Sequence, residues 1–186
     1  MKLNSSNNGS NGGASTGTSP KLQNCQVFPP DNPWNLDVSQ APLHSNSKNF
    51  IDFILAHGAS NVHPDFGSNP DYGIPYAMVP GTQAKVPISF TDSPDESDPG
   101  PYPIPQDAPV EKGDAHVLVV DQDHCILYEM YQANYTNPGW SCSSGAIFDL
   151  NSNKLRTDGW TSADAAGLPI FPGLVRYDEA VTQGEL

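Results

Sequence analysis

Basic side chains are scarce. Eight Lys and Arg stand against 21 Asp and Glu in 186 residues, a formal net charge of -13. A polyanion meets repulsion over most of such a surface, which argues against nucleic acid and against an anionic membrane as partners. No apolar run approaches the ~18–20 residues of a membrane-crossing helix, so no membrane insertion is expected. The N-terminus has no apolar leader core: Met1-Lys2-Leu3 runs at once into Asn and Ser. If the protein is secreted, its leader is expected to be missing from this chain.

Cysteine is sparse as well. Cys25, Cys125 and Cys142 form no C-x-x-C pair, which excludes a zinc ribbon or a thioredoxin-type site. Three pairings are open. Cys25 with Cys125 is the favoured one, joining the domain entrance to the start of a strand and leaving Cys142 over. The chain lacks a G-x-S-x-G elbow, a P-loop, a Rossmann glycine fingerprint and an H-E-x-x-H motif. These absences argue against the common hydrolase, nucleotide and metalloprotease classes, and no cofactor is expected. Hydrophobic residues make up 37%, below the ~45–50% usual for a globular domain.

Proline and glycine are plentiful, 19 and 16 respectively, and they indicate a loop-rich β domain. Residues 4–20 are Ser/Asn/Gly-rich and read as a flexible linker, so the chain divides into a linker at 1–21 and a single β-rich domain at 22–186. The expected architecture is mainly β: an antiparallel β-barrel or β-sandwich with one short amphipathic helix and long Pro/Gly-rich loops. Its centre is a meander of Ala115–Asp121, Cys125–Ala133 and Ser144–Leu150, β-branched or alternating runs separated by polar turns. Ala77–Val79 and Val86–Phe90 are expected as strands either side of the Pro80-Gly81 turn. The helix is expected over Ser47–His57, capped by Ser47 and closed by Gly58. Phe50, Ile51, Ile54 and Leu55 would lie against the sheet. Phe28 and Trp34 would anchor the proline-rich segment 25–44. Asn134-Tyr135-Thr136 is a formal N-glycosylation sequon at a hairpin tip.

Candidate chemistry rests on carboxylates. A tight turn at Asp121–His124 would place Val117, Val119, Leu127 and Glu129 on one sheet face, and Asp149 with them if the next hairpin keeps parity. Paired carboxylates on one face suit glycoside chemistry. Ser162 can cap one helical turn through Ala166. Asp164, beside Trp160 and the apolar run Leu168–Leu174, could then act as a general acid with a raised pKa. Glu96 is a further acid, and His116 could orient or replace one of these groups. Trp34, Tyr102, Trp140 and Trp160 are the candidate sugar-stacking aromatics. Asp92, Asp95, Glu96 and Asp98 could hold Ca²⁺, although their spacing matches no EF-hand loop and a solvated surface loop is the simpler expectation. His63, Asp65 and Asp71 form a second conceivable metal cluster. Neither is expected to be a metal site.

Several blocks together resemble a group of secreted bacterial proteins, some found in carbohydrate-associated contexts. They are Phe28–Ser39, His63–Gly67, Glu96–Pro105, His116–Asp121, Leu127–Glu129, Ser144–Asn153 and above all Gly159–Glu179, GWTSADAAGLPIFPGLVRYDE. The resemblance covers nearly everything after the linker. The group has no established activity, so it assigns no catalytic residue. Similar chains continue beyond the position of Leu186, and this chain reads as a C-terminal truncation or a fragment. The resemblance implies a secreted or cell-surface protein whose partner is a polysaccharide or other extracellular glycan. Two functional readings follow: a glycan-degrading enzyme using Asp/Glu acid-base chemistry, or a non-catalytic carbohydrate-binding or cell-surface interaction module.

Overall fold

The computed structural model describes residues 15–16, 19–58 and 73–184. Most of the proposed linker, and the cluster of His63, Asp65 and Asp71, lie outside the described residues. The protein is mainly β. Its strands are β1 (Ser15–Thr16), β2 (Lys21–Leu22), β3 (Cys25–Gln26), β4 (Leu36–Asp37), β5 (Tyr76–Val79), β6 (Ile88–Phe90), β7 (Val117–Asp121), β8 (Ile126–Tyr131), β9 (Asn134–Tyr135), β10 (Trp140–Cys142) and β11 (Ser144–Asp149). The one α-helix is α1, Ser47–Ala56. Short 3₁₀ turns lie at Pro94–Glu96 and Phe171–Gly173, and a π-type turn at Asp178–Gln183.

The central sheet has the order β11-β8-β7-β5, and a second sheet has the order β6-β10-β9. The predicted meander is the antiparallel set β7, β8 and β11. No sheet closes on itself among the described residues, so the architecture is sandwich-like rather than a barrel. The strands flanking Pro80-Gly81 do not pair with each other. β5 runs parallel to β7, and β6 runs parallel to β10 in the other sheet, which makes both sheets mixed.

All five residues of β7 are buried, as expected for a strand covered on both faces. Val117, Val119, Tyr128 and Met130 pack with Trp140, Cys142, Tyr102 and Ile104 on the side of the second sheet. Leu118, Val120, Leu127, Ala146 and Phe148 pack on the other side under Leu22, Val27, Phe28 and Phe171. Cys25 and Cys125 are disulfide-bonded, with Cα atoms 5.4 Å apart, and tie the β2–β3 hairpin to the turn between β7 and β8. Cys142 is free and buried.

The helix departs from expectation. None of its residues is buried, and Phe50, Ile51, Ile54 and Leu55 are each about half exposed. Both faces of the central sheet are already covered, one by the second sheet and the other by residues 22–28 and 170–174. Asn46, not Ser47, precedes the first turn, and it makes no side-chain capping bond. Gly58 takes the left-handed conformation expected just past the helix, at φ +100°.

The register also differs by one residue. Cys125 is left-handed (φ +57°) and stays out of the ladder, so Asp121 pairs with Ile126 and Leu118 with Glu129. The Asp121 side chain fixes this loop, its Oδ1 accepting the N–H groups of Asp123 and His124 at 3.0 and 3.1 Å. Glu129 therefore shares a face with Leu118, Val120 and Ala146, not with Val117 and Val119. Asp149 pairs with Ile126 and falls on the opposite face from Glu129.

Candidate functional site: a hydroxyl-rich cleft at the end of the central sheet

The register brings three polar residues into one row. Ser144 pairs with Tyr131 across β11 and β8. Val117 pairs with Met130, so the next position outward sets His116 beside Tyr131, and their ring centroids are 5.3 Å apart. Ser144, Tyr131 and His116 alternate in phase with Ala146, Glu129 and Leu118, which puts all six on one face. The row opens into a cleft of about 570 Å³, a size suited to a small ligand.

Two loops wall this cleft. On one side Thr161–Ala165 folds into a tight turn. Ser144 Oγ donates to Ser162 O at 3.0 Å, while Ser162 Oγ accepts the Asp164 N–H at 3.0 Å and donates to Leu168 O at 2.7 Å. Ser162 thus caps a turn, as its sequence position suggests, although no helix follows. On the other side Asp92 meets Ser143, whose Oγ donates to Asp92 Oδ2 at 2.5 Å. Arg156 links the two walls. Its guanidinium donates to the Asp98 carboxylate, to Glu96 O at 2.8 Å and to Thr161 O at 3.1 Å. Glu96 Oε2 completes the link by accepting the Thr161 N–H at 3.0 Å. The Arg156 guanidinium also lies over the rings of Phe148 and Trp160, at 5.7 and 5.8 Å.

The candidate acids separate. Asp164 lines the cleft with His116 and is exposed. Glu129 lies one row behind them and is fully buried. Its carboxylate accepts the N–H of Ile170 at 2.9–3.0 Å and of Phe171 at 2.8 Å, holding the 3₁₀ turn against the sheet. Burial pushes its pKa up to about 7, against the lowering effect of those two N–H groups. The Asp164 charge raises it further, and Arg156 opposes that. With no exposed surface, Glu129 cannot touch a substrate. Asp149 is exposed on the other face, where its Oδ1 accepts the Asn151 N–H at 2.9 Å. The two-carboxylate arrangement built on Glu129 and Asp149 is therefore not formed, because the β8–β11 register pairs Glu129 with Ala146 and Asp149 with Ile126, whose side chains point to opposite faces.

The aromatic candidates do not form a platform. Tyr102 and Trp140 are buried in the core between the sheets, and the Tyr102 hydroxyl donates to Asp98 O at 2.6 Å. Neither is open to a sugar, because the rings fill the space between the layers. Trp160 is half-buried beneath Arg156. Trp34 is half exposed, with its ring edge near Gly173 and away from the cleft. Among the described residues no group of three or more His, Cys, Asp and Glu is placed to hold a metal ion. In the acidic loop, Asp92, Glu96 and Asp98 face Ser143, Thr161 and Arg156 instead.

Tyr131, Ser143 and Asp114 line the cleft without having been marked by sequence spacing. The legible signal was the Ser143-Ser144 pair at the mouth of a strand, where small hydroxyl side chains are neither turn formers nor core. Among the described residues, no Lys or Arg lines the cleft. It offers hydroxyl, imidazole and carboxylate groups beside one phenol ring and, among the described residues, no fixed cation that would receive an anionic ligand.

No protein-family model, curated protein or solved structure significantly matches this chain.

Proposed function

We propose that this is an extracellular module that binds a neutral glycan in the cleft between Thr161–Ala165 and Asp92, without cleaving it. The observation carrying the reading is a cleft of ligand size lined by Tyr131 and the exposed Asp164, with Ser144 and His116 buried at its floor. Sugar hydroxyls pair with carboxylates and serine hydroxyls, and a phenol ring supplies an apolar face for the sugar ring. The Cys25–Cys125 disulfide suits an oxidising compartment, which supports secretion or a cell-surface location. Against hydrolysis stands the loss of the Glu129–Asp149 pair, since Glu129 is sealed and Asp149 faces away; the carboxylates left at the cleft are Asp92, Asp114 and Asp164, which the release assay below tests. A glycosidase needs two carboxyls within roughly 5–9.5 Å of each other flanking the bond.

The test is affinity pull-down and calorimetry against cellulose, xylan, chitin, starch and mixed-linkage β-glucan, with reducing-sugar release measured in parallel. Binding without release, lost in Tyr131→Ala and in Asp164→Ala variants that still fold, is the expected result. Release that disappears in Asp164→Asn would replace this reading with the enzyme reading, Asp164 acting as the acid. A folded protein that binds none of the panel and releases no sugar would overturn the glycan assignment.

A further inference from the structure

We propose that His116 is a positioning residue for the cleft, holding the Thr161–Ala165 wall as a doubly hydrogen-bonded imidazolium, so that ligand binding follows its protonation. The consequence for binding rests on the cleft being the ligand site; the protonation state does not.

The His116 ring is buried, with 8% of the residue exposed. Its Nδ1 meets Glu111 Oε2, and its Nε2 meets Ala163 O at 3.3 Å. A carboxylate and a backbone carbonyl are both acceptors, whereas a neutral imidazole carries a single N–H. With Glu111 ionised, both contacts are hydrogen bonds only when both ring nitrogens are protonated. Glu111 is not free to turn aside. Its Oε2 also accepts the His116 N–H at 3.3 Å, and its own N–H donates to His116 O at 3.0 Å.

Losing one ring proton therefore costs the weaker bond. The carboxylate retains the Nδ1 proton. A bare Nε2 lone pair then faces the Ala163 carbonyl oxygen, and the two repel. The wall is the more exposed partner, Asp164, Ala165 and Ala166 being exposed while β7 is buried throughout, so the repulsion falls on the wall's contacts. The titratable groups around the ring are Glu111 and Asp114 on its own segment, Tyr131 on β8, Asp164 on the wall and Asp92 opposite, with Glu129 one row behind. The wall and the glycan should thus be held best while the ring carries both protons.

The experiment is nitrogen-15 NMR of the histidine rings in the full chain from about pH 5 to about pH 8. It is paired with affinity measurements for cellohexaose, xylohexaose, chitohexaose and maltohexaose over the same range. At the acidic end both His116 nitrogens should be protonated, and the Ala163–Ala165 amide signals should shift with the same midpoint as the ring. For any oligosaccharide that binds, affinity should fall about fivefold or more towards the basic end. His116→Gln keeps one donor for Ala163 O but does not titrate, so the part of the pH dependence that follows the ring should vanish, leaving only what Glu129 contributes through Ile170 near pH 7. A ring carrying one bare nitrogen at the acidic end would overturn the proposal, as would wall amides indifferent to the ring's titration. If no oligosaccharide binds, the glycan assignment fails while the NMR still decides the protonation.

Discussion

Glu129 and Ile170 lie 41 positions apart in sequence, yet both carboxylate oxygens of the first accept the backbone N–H of the second, at 3.0 and 2.9 Å. A side chain that reads as a catalytic acid is in fact the anchor of the C-terminal segment. Removing it as Glu129→Ala leaves the Ile170 and Phe171 N–H groups buried without acceptors. We expect a loss of about 3 kcal/mol in urea unfolding, with Glu129→Gln losing less because one carbonyl oxygen remains.

The same carboxyl makes stability depend on pH. Its pKa is about 7 in the folded chain, raised chiefly by burial from an ordinary value of 4.5. Below 4.5 both states hold the proton and the favourable contribution is complete. Between the two values the folded chain binds more protons than the unfolded one, so stability falls as pH rises. The contribution is lost above about 7. The wild type should lose on the order of 3 kcal/mol across that window relative to Glu129→Gln. Paired denaturation curves at several pH values check this, and parallel curves for the two proteins would refute it.

Arg156 fastens the acidic loop to the cleft wall through three acceptors, with only 6% of its side chain exposed. Arg156→Met should destabilise the fold by about 2–3 kcal/mol, leaving the Asp98 carboxylate without its cation. Arg156→Lys should recover only part of this, since a single ammonium cannot reproduce the fork. Thermal melts of the two variants, read with the pull-down, test whether the strap also shapes the cleft.

The disulfide closes a separation of 100 residues. Cys25→Ala with Cys125→Ala should cost about 4–5 kcal/mol on loop-entropy grounds. Cys142 should resist thiol reagents until the chain unfolds, because it is buried and its pKa is pushed up to about 12 by that burial. Counting labelled thiols with and without denaturant gives the answer: none in the native state and one after unfolding.

Gly139 sits where the second sheet begins its parallel pairing. A Cβ there would come within 2.1 Å of Pro87 O and 2.8 Å of Pro87 Cγ. Gly139→Ala must push apart the strands that pair Trp140 with Ile88, and we expect a loss of about 2–4 kcal/mol. A melting temperature equal to the wild type's would show that this edge yields more readily than the packing suggests.

Although it left three cysteine pairings open, the sequence by itself determined the β class and the meander. Those features are local: β-branched runs such as Val117–Val120 want a pleated, buried surface, and Asp, Asn, Pro and Gly punctuate them. It also placed His116 and Asp164 among the candidates, as polar side chains bordering apolar runs. Only the tertiary structure decided which faces they share. One left-handed residue, Cys125, shifted the β7–β8 ladder and moved Glu129 off the face of Val117 and Val119, while the β8–β11 register separated Glu129 from Asp149, because side chains in a strand alternate with a period of two. Parallel pairing of β5 with β7 and of β6 with β10 is non-local, and no turn signal announces it. The apolar stripe of α1 marks an amphipathic helix but not a packing partner, and the faces it would have covered were already taken. The cleft itself is a product of register, since Ser144, Tyr131 and His116 meet only across three strands.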